Sequence, residues 1–213
     1  MDIATREFEL AHYLEKQPYQ VEQDGIRLNI AKNVFPSDFG LTSRFVGRYI
    51  LQQPPAKRAL DMGCGSGYFA FLLKKIGCES VTGIDLNPDA VNCAQSNCAL
   101  NPELGLINFV QSNLFNSIAV QRFDLIVFNF NYYPSNGVFG LYADGGREIL
   151  ERFFSEVSAY IEPNIRIYIP YSAFVGPEHD PRNIAPQYGF SVSIVDKTHT
   201  QTGDHFIYLI TQR

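Results

Sequence analysis

The segment Arg58-Ala-Leu-Asp-Met-Gly-Cys-Gly-Ser-Gly-Tyr-Phe-Ala70 constrains this chain more than any other. An apolar run ends at Met62, a helical pattern begins near Gly67, and Gly63, Gly65 and Gly67 alternate between them. Residues without a Cβ permit a tight turn and let backbone approach a ligand closely. The helix that follows presents unpaired N–H donors and partial positive charge at its start. A carboxylate, a phosphate or an electron-rich ring edge can sit there. Two familiar ligand classes fit badly. The dinucleotide fingerprint G-x-G-x-x-G would need glycine where Tyr68 stands, and the P-loop would need a lysine that does not follow.

Strand and helix alternate around this turn. Short apolar runs at 59–62, 81–84, 107–110, 125–128 and 165–169 are separated by helical patterns at 67–76, 88–100 and 144–161. Continuous apolar strands joined by helices predict a mostly parallel sheet covered on both faces. A short helix is expected at 182–188, then strands at 191–195 and 206–210. The short link Thr200-Gln-Thr-Gly203 permits only an antiparallel pairing of those two. Upstream, a helix is expected at 5–17. A hairpin at 19–30 turns on Asp24-Gly25, and a helix capped by Thr42 or Ser43 runs to Leu51. The domain reading is a helix–hairpin extension at 1–33 followed by one domain at 34–213.

Asp61-Met-Gly63-Cys-Gly65-Ser-Gly67 satisfies D-x-G-x-G-x-G at every fixed position. It resembles the cofactor motif of class I S-adenosylmethionine (SAM)-dependent methyltransferases. In Ser80-Val-Thr-Gly-Ile-Asp85 an acid ends a strand 18 residues after Gly67, at the carboxyl edge where open α/β sheets bind ligands. A carboxylate there can accept hydrogen bonds from both ribose hydroxyls. Its other reading is a helix N-cap, a place that Asn87, directly before Pro88, fits better. In Phe109-Val-Gln-Ser-Asn-Leu-Phe115 the resemblance sets Asn113 against the adenine amine. It implies a Rossmann-like α/β fold of seven strands with one antiparallel, order 3-2-1-4-5-7-6, and helices on both faces. It also implies a SAM site of Asp61, Gly63, Cys64, Gly65, Gly67, Asp85, Leu86, Asn113, Leu114 and Asn129.

After the fourth strand, Phe123-Asp-Leu-Ile-Val-Phe-Asn-Phe-Asn-Tyr-Tyr-Pro134 resembles the Asn-Pro-Pro-Tyr loop of methyltransferases acting on planar nitrogens. The release-factor glutamine methyltransferases and the adenine or guanine amino methyltransferases are such families. Here the loop reads Asn129-Phe-Asn-Tyr132, with Phe130 and Asn131 in place of the two prolines. A conjugated nitrogen is a poor nucleophile because its lone pair is delocalised. The resemblance implies that the Asn129 side chain and the Phe130 backbone carbonyl accept its two N–H groups, while Tyr132 packs on its plane. Residues 34–43 and 144–153 resemble flanking segments of the glutamine methyltransferases.

The implied activity is methyl transfer to a protein glutamine or a nucleobase. Methylation of a small metabolite, a non-catalytic SAM- or partner-binding module and, more distantly, a dinucleotide enzyme stand as alternatives. Composition bears on the partners. A net charge of -5 lacks the basic excess usual in a stand-alone nucleic-acid binder, though a local patch is compatible with it. The cysteines Cys64, Cys78, Cys93 and Cys98 form no C-x-x-C pair, so no metal site is expected and reduced thiols are. The charged N-terminus and the absence of a long apolar run predict no signal peptide, no membrane span and a cytoplasmic protein. Tyr132, Tyr133, Phe139 and Tyr142 either grip a substrate ring or pack inward, and Tyr171 either lines the pocket or lies in the core. His179, His199 and His205 are expected to have no catalytic role, and Lys74-Lys75 to be a solvated helix face.

Overall fold

A computed structural model describes residues 3–39, 41–130 and 146–213. Strands β1 (Tyr19–Gln23) and β2 (Ile26–Ile30) form an antiparallel hairpin. Its turn residues Asp24 and Gly25 both have positive φ, 52° and 72°, as the two-residue turn that suits strand twist requires. The main sheet takes β3 (Arg58–Met62), β4 (Ser80–Asp85), β5 (Asn108–Gln111) and β6 (Phe123–Phe128). The rest of it is β7 (Ile161–Ser172), β8 (Phe190–Thr200) and β9 (Gly203–Gln212). The order is β5-β4-β3-β6-β7-β9-β8, and β9 runs antiparallel to both its neighbours. This is the expected sheet, strand for strand.

Helices cover both faces because alternate residues of the central strands are apolar in both directions. On β6, Ile126 and Phe128 join the core under α5 (Arg147–Glu156), with Leu150, Phe153 and Phe154. Leu125 and Val127 join the opposite core, shared by α2 (Thr42–Ile50), α3 (Tyr68–Lys75) and the hairpin residues Ile26, Leu28 and Ile30. Ahead of the hairpin lies α1 (Ile3–Glu15), and α4 (Pro88–Asn97) follows β4.

Some boundaries move for local reasons. The cap of α2 is Leu41, with no side-chain hydrogen bond, so Thr42 and Ser43 fall inside the helix. The pattern at 88–100 is α-helical to Asn97 and tightens to a 3-10 turn over Cys98–Leu100. The pattern that starts at Asp144, itself outside the described residues, yields α5 and a 3-10 turn at Val157–Tyr160. Strand β7 runs on through Pro170, which lies past Tyr168, the last partner of β6, so its missing N–H does not break that ladder.

The hairpin is fastened through its outer edge. Asn97 Oδ1 accepts from the Asn29 amide at 2.8 Å, and its Nδ2 donates to Asn29 O at 3.1 Å and Ser66 O at 3.0 Å. One helical turn on, Asn101 Oδ1 accepts from the Arg27 amide at 3.0 Å and its Nδ2 donates to Arg27 O at 2.8 Å. Two buried side-chain amides thus act as a neighbouring strand for β2 and pair the backbone N–H and C=O groups of Asn29 and Arg27. Replacing either asparagine by alanine should cost about 1–3 kcal/mol, because a backbone amide and carbonyl of β2 lose their partners together. Urea unfolding of Asn97→Ala and Asn101→Ala measures this, and losses within experimental error would show the edge to be hydrated.

Candidate functional site

The carboxyl ends of β3, β4, β5 and β6 converge on a cavity of about 470 Å³. Met62, Gly63, Cys64, Gly65 and Ser66 line it from β3, and Ile84, Asp85 and Leu86 from β4. Ser112, Asn113 and Leu114 follow β5, and Phe128, Asn129 and Phe130 belong to the end of β6. Ile149 and Arg152 of α5 close one side, and Arg6, Phe35, Ser37, Phe39, Thr42 and Ser43 another.

The glycine turn is wired mostly into the protein. The Gly63 and Cys64 amides both donate to Ile84 O at 2.8 Å, the Gly67 amide to Cys64 O at 2.7 Å, and the Gly65 amide to Asp85 Oδ2 at 2.8 Å. In α3 the Ala70 amide donates to Asp61 Oδ2 at 2.9 Å and the Phe71 amide to Gly67 O at 2.9 Å. Among the described residues the Tyr68 and Phe69 amides make no hydrogen bond, so the helix keeps open donors beside the cavity. The glycines divide the work. Gly63 has φ +75°, and nothing lies within 4 Å of where its Cβ would be. That empty volume is what a ligand pressed against bare backbone needs.

Gly67 is different. A Cβ there would come within 2.8 Å of Phe71 Cε2 and 3.2 Å of Phe109 Cζ. Gly67 lets α3 pack closely on the sheet and does not line the cavity. Asp61 is also withdrawn. It is fully buried, holds the first turn of α3 through Ala70, and leaves Oδ1 without a hydrogen bond. Asp61 and Gly67, both expected at the ligand, lie behind the turn, and neither lines the cavity.

Asp85 is held by two amides, Gly65 on Oδ2 and Asn87 on Oδ1 at 2.9 Å. Burial raises its pKa, and the Gly65 and Asn87 amides oppose that rise. The α4 cap is Asn87, whose side chain accepts from the Asp89 amide at 2.9 Å, so Asp85 remains directed at the cavity edge. Burial and the charges of Asp85 and Asp61 push the Cys64 thiol well up, which keeps it neutral and unsuited to act as a nucleophile. Leu86 is exposed on the rim, while Leu114 is buried with a positive φ of 50°.

Asn129 is half-buried, and its Nδ2 donates to Ser43 Oγ at 3.3 Å. Phe130 buries its ring against Phe128, with centroids 4.8 Å apart. Tyr132, Tyr133, Phe139 and Tyr142 lie outside the described residues. Tyr171 is buried, its hydroxyl donating to Gly176 O at 2.8 Å, so it is a core residue. The lysines of α3 turn to backbone carbonyls, Lys74 to Cys78 and Glu79 and Lys75 to Asp24. Among the described residues no helix is long and apolar enough to cross a membrane.

Sequence reasoning missed Arg152, which donates from Nη1 to Asn113 Oδ1 at 2.8 Å, and Ser112, which donates to Leu114 O at 2.6 Å and accepts from the Ser117 amide at 3.0 Å. It also missed Ser43 as the partner of Asn129. Arg152 is 39 residues from Asn113, and no local pattern announces that pairing.

Comparison with known proteins agrees with this geometry. A family model described as the methyltransferase small domain matches residues 31–139. The chain is 33% identical over 147 residues to a Methanocaldococcus jannaschii protein named "Putative protein N5-glutamine methyltransferase", spanning 65% of this chain and 73% of the relative. It is 40% identical over 70 residues to a ribosomal protein L11 methyltransferase of Shouchella clausii, spanning 33% of this chain but only 22% of that relative. Among solved structures, a T. thermophilus 16S rRNA N2 methyltransferase in complex with AdoMet and guanosine superposes with a TM-score of 0.67 at 17% identity. That match covers 92% of this chain and 50% of the other, and shows a shared fold.

The buried Asp61 gives the site an unusual pH signature. Burial, reinforced by the nearby Asp85 charge and opposed by the Ala70 amide, lifts its carboxyl from 3.8 to about 7. The folded chain then holds a proton that the unfolded chain has already released, and stability falls as pH rises through that window. Asp61→Asn should remove this slope. The variant's unfolding free energy relative to wild type should climb by up to about 4 kcal/mol between pH 4 and 7 and level off above. Denaturant titrations across pH test this, and a flat difference would mean Asp61 is ionised in the folded protein throughout.

Proposed function

The chain belongs to the methyltransferase small-domain family and is a SAM-dependent methyltransferase, and from that premise we propose that it methylates the side-chain amide nitrogen of a protein glutamine. The observation that carries the proposal is Asn129 at the cavity end of β6, with its amide nitrogen engaged by Ser43. With Nδ2 committed, Oδ1 is the end available to accept an N–H from the acceptor amide.

Bound SAM supplies an activated methyl on a sulfonium that is already a good leaving group. The residues present suit such a cofactor. Gly63 and Gly65 offer bare backbone, and the Tyr68 and Phe69 amides offer donors for its carboxylate. Each Asp85 oxygen takes one backbone amide and keeps lone-pair capacity for a ribose hydroxyl. Cys64, Leu86 and Leu114 supply apolar contact, and Asn113 faces the base. Asp61 and Gly67 contribute by holding the turn.

For the acceptor, Asn129 Oδ1 and the Phe130 carbonyl would take the two amide hydrogens and localise the nitrogen lone pair as attack begins. Tyr132 is assigned to the acceptor plane from its place in the sequence motif. The remaining requirement is alignment and exclusion of water, which the buried Phe128 and Phe130 rings favour. A nucleobase amine offers the same pair of N–H groups, but a net charge of -5 disfavours a polyanionic substrate. We assign residues 1–33 to an extension of the methyltransferase domain at 34–213, a division supported by the family match beginning at residue 31. Because Arg6 lines the cavity, the extension would wall the acceptor side. The free cysteines suit a reducing, cytoplasmic setting.

Two variants separate the roles. Asp85→Ala should weaken SAM binding about tenfold to a hundredfold in calorimetry, as loss of charge-assisted hydrogen bonds does. Asn129→Ala should leave that affinity within about threefold while lowering kcat about a hundredfold or more on glutamine-containing protein substrates. Equal losses of binding and turnover in Asn129→Ala would move this residue to the cofactor site. Label transfer to RNA or metabolites but not to protein would replace the proposed acceptor.

A further inference from the structure

Arg152 reaches across from α5 and grips Asn113 twice, with Nη1 on Oδ1 at 2.8 Å and Nη2 on the backbone oxygen at 3.2 Å. Its Nε donates to Glu156 Oε1 at 2.8 Å, one turn further along the same helix. The guanidinium is thereby anchored on its own helix and presents its far edge to a single residue. Both Arg152 and Asn113 line the cavity.

This grip decides which way the Asn113 amide points. A guanidinium carries donors and no acceptor. The amide atom against Nη1 must therefore be the oxygen, since the reversed amide would set N–H against N–H in a half-buried place. With Oδ1 drawn toward Arg152, Nδ2, a donor, is the end of the amide that makes no hydrogen bond among the described residues. An aspartate here would behave differently. One oxygen would pair with Arg152, and the other would remain an acceptor.

Adenine presents an N–H donor only at its 6-amino group, and acceptors at its ring nitrogens. We propose that Arg152 is a positioning residue that fixes the polarity of Asn113, so that the base site offers an N–H to a ring nitrogen of adenine and does not read the 6-amino group through Asn113. The proposal rests on the SAM reading of the cavity. It replaces the expectation that Asn113 accepts from the adenine amine. It also explains why an amide can stand at a position where a carboxylate would make the stronger acceptor.

The test compares two thioether nucleosides by calorimetry, S-adenosylhomocysteine and its analogue lacking the 6-amino group, on wild type, Asn113→Asp and Arg152→Leu. Wild type should bind the two within about threefold of each other, because no Asn113 hydrogen bond is lost with the amine. Asn113→Asp, which keeps a partner for Arg152, should favour the amino form by about tenfold, the effect of gaining a charged acceptor. Arg152→Leu frees the amide to turn, and its preference for the amino form should rise to about fivefold. A role in stability alone would lower the melting temperature without moving this ratio. Should Arg152→Leu fail to fold, wild type and Asn113→Asp still decide the matter. A wild-type preference of tenfold for the amino form, or equal ratios in wild type and Asn113→Asp, would overturn the proposal. Failure of wild type to bind either nucleoside would instead sink the SAM reading beneath it.

Discussion

The hydrogen bond from the Gly65 amide to Asp85 Oδ2, at 2.8 Å, is the tie on which the site depends. It joins the turn after β3 to the end of β4, two strands that pair in parallel register from Arg58–Ser80 to Met62–Ile84. The Gly63 and Cys64 amides reinforce it by converging on Ile84 O. A turn of three glycines has little conformational stiffness of its own. Its shape is imposed from outside, by Asp85 and Ile84 on one side and by Asp61 through Ala70 on the other. One acidic side chain thus orders the loop and faces the cavity together, so loop geometry and ligand recognition are coupled.

The same logic of borrowed order runs outward. The outer edge of β2 is closed by Asn97 and Asn101, and Asn97 also holds Ser66 O within the glycine turn. The hairpin, α4 and the turn therefore share one hydrogen-bonded unit. Arg152 extends the pattern to the far wall, linking α5 to the loop after β5. Asp85, Asn97 and Arg152, from three different elements, each tie part of the cavity's lining in place. A pocket built this way is preorganised, which matters for a reaction whose main demand is alignment.

Much of the fold was legible because its strands are apolar on both faces and its turns carry distinctive residues. Continuous runs such as Leu125–Ile126–Val127 read as buried parallel strands and are found there. Asp24-Gly25 announced the hairpin through the positive φ that both residues adopt. The site was legible in outline, since the motif located the turn, the acid at the end of β4 and the asparagine after β6. The motif did not say which side of the turn each residue faces. Asp61 and Gly67 fit the pattern as well as Gly63 does, yet they pack inward, because the period of a turn carries no inside or outside. Arg152, Ser43 and Asn101 were hidden for another reason: their partners lie 39, 86 and 74 residues away, and such pairings exist only once the fold has formed. The four-residue spacing of Asn97 and Asn101 was the one available hint.

On the proposed reading this crevice cradles a sulfonium nucleoside with its reacting end toward Asn129. A crystal structure of the protein grown with S-adenosylhomocysteine tests that placement. Ribose hydroxyls within hydrogen-bonding distance of Asp85, backbone of Gly63 against the ligand, and the sulfur on the Asn129 side would bear it out. Ligand density elsewhere, or a ribose turned away from Asp85, would contradict it.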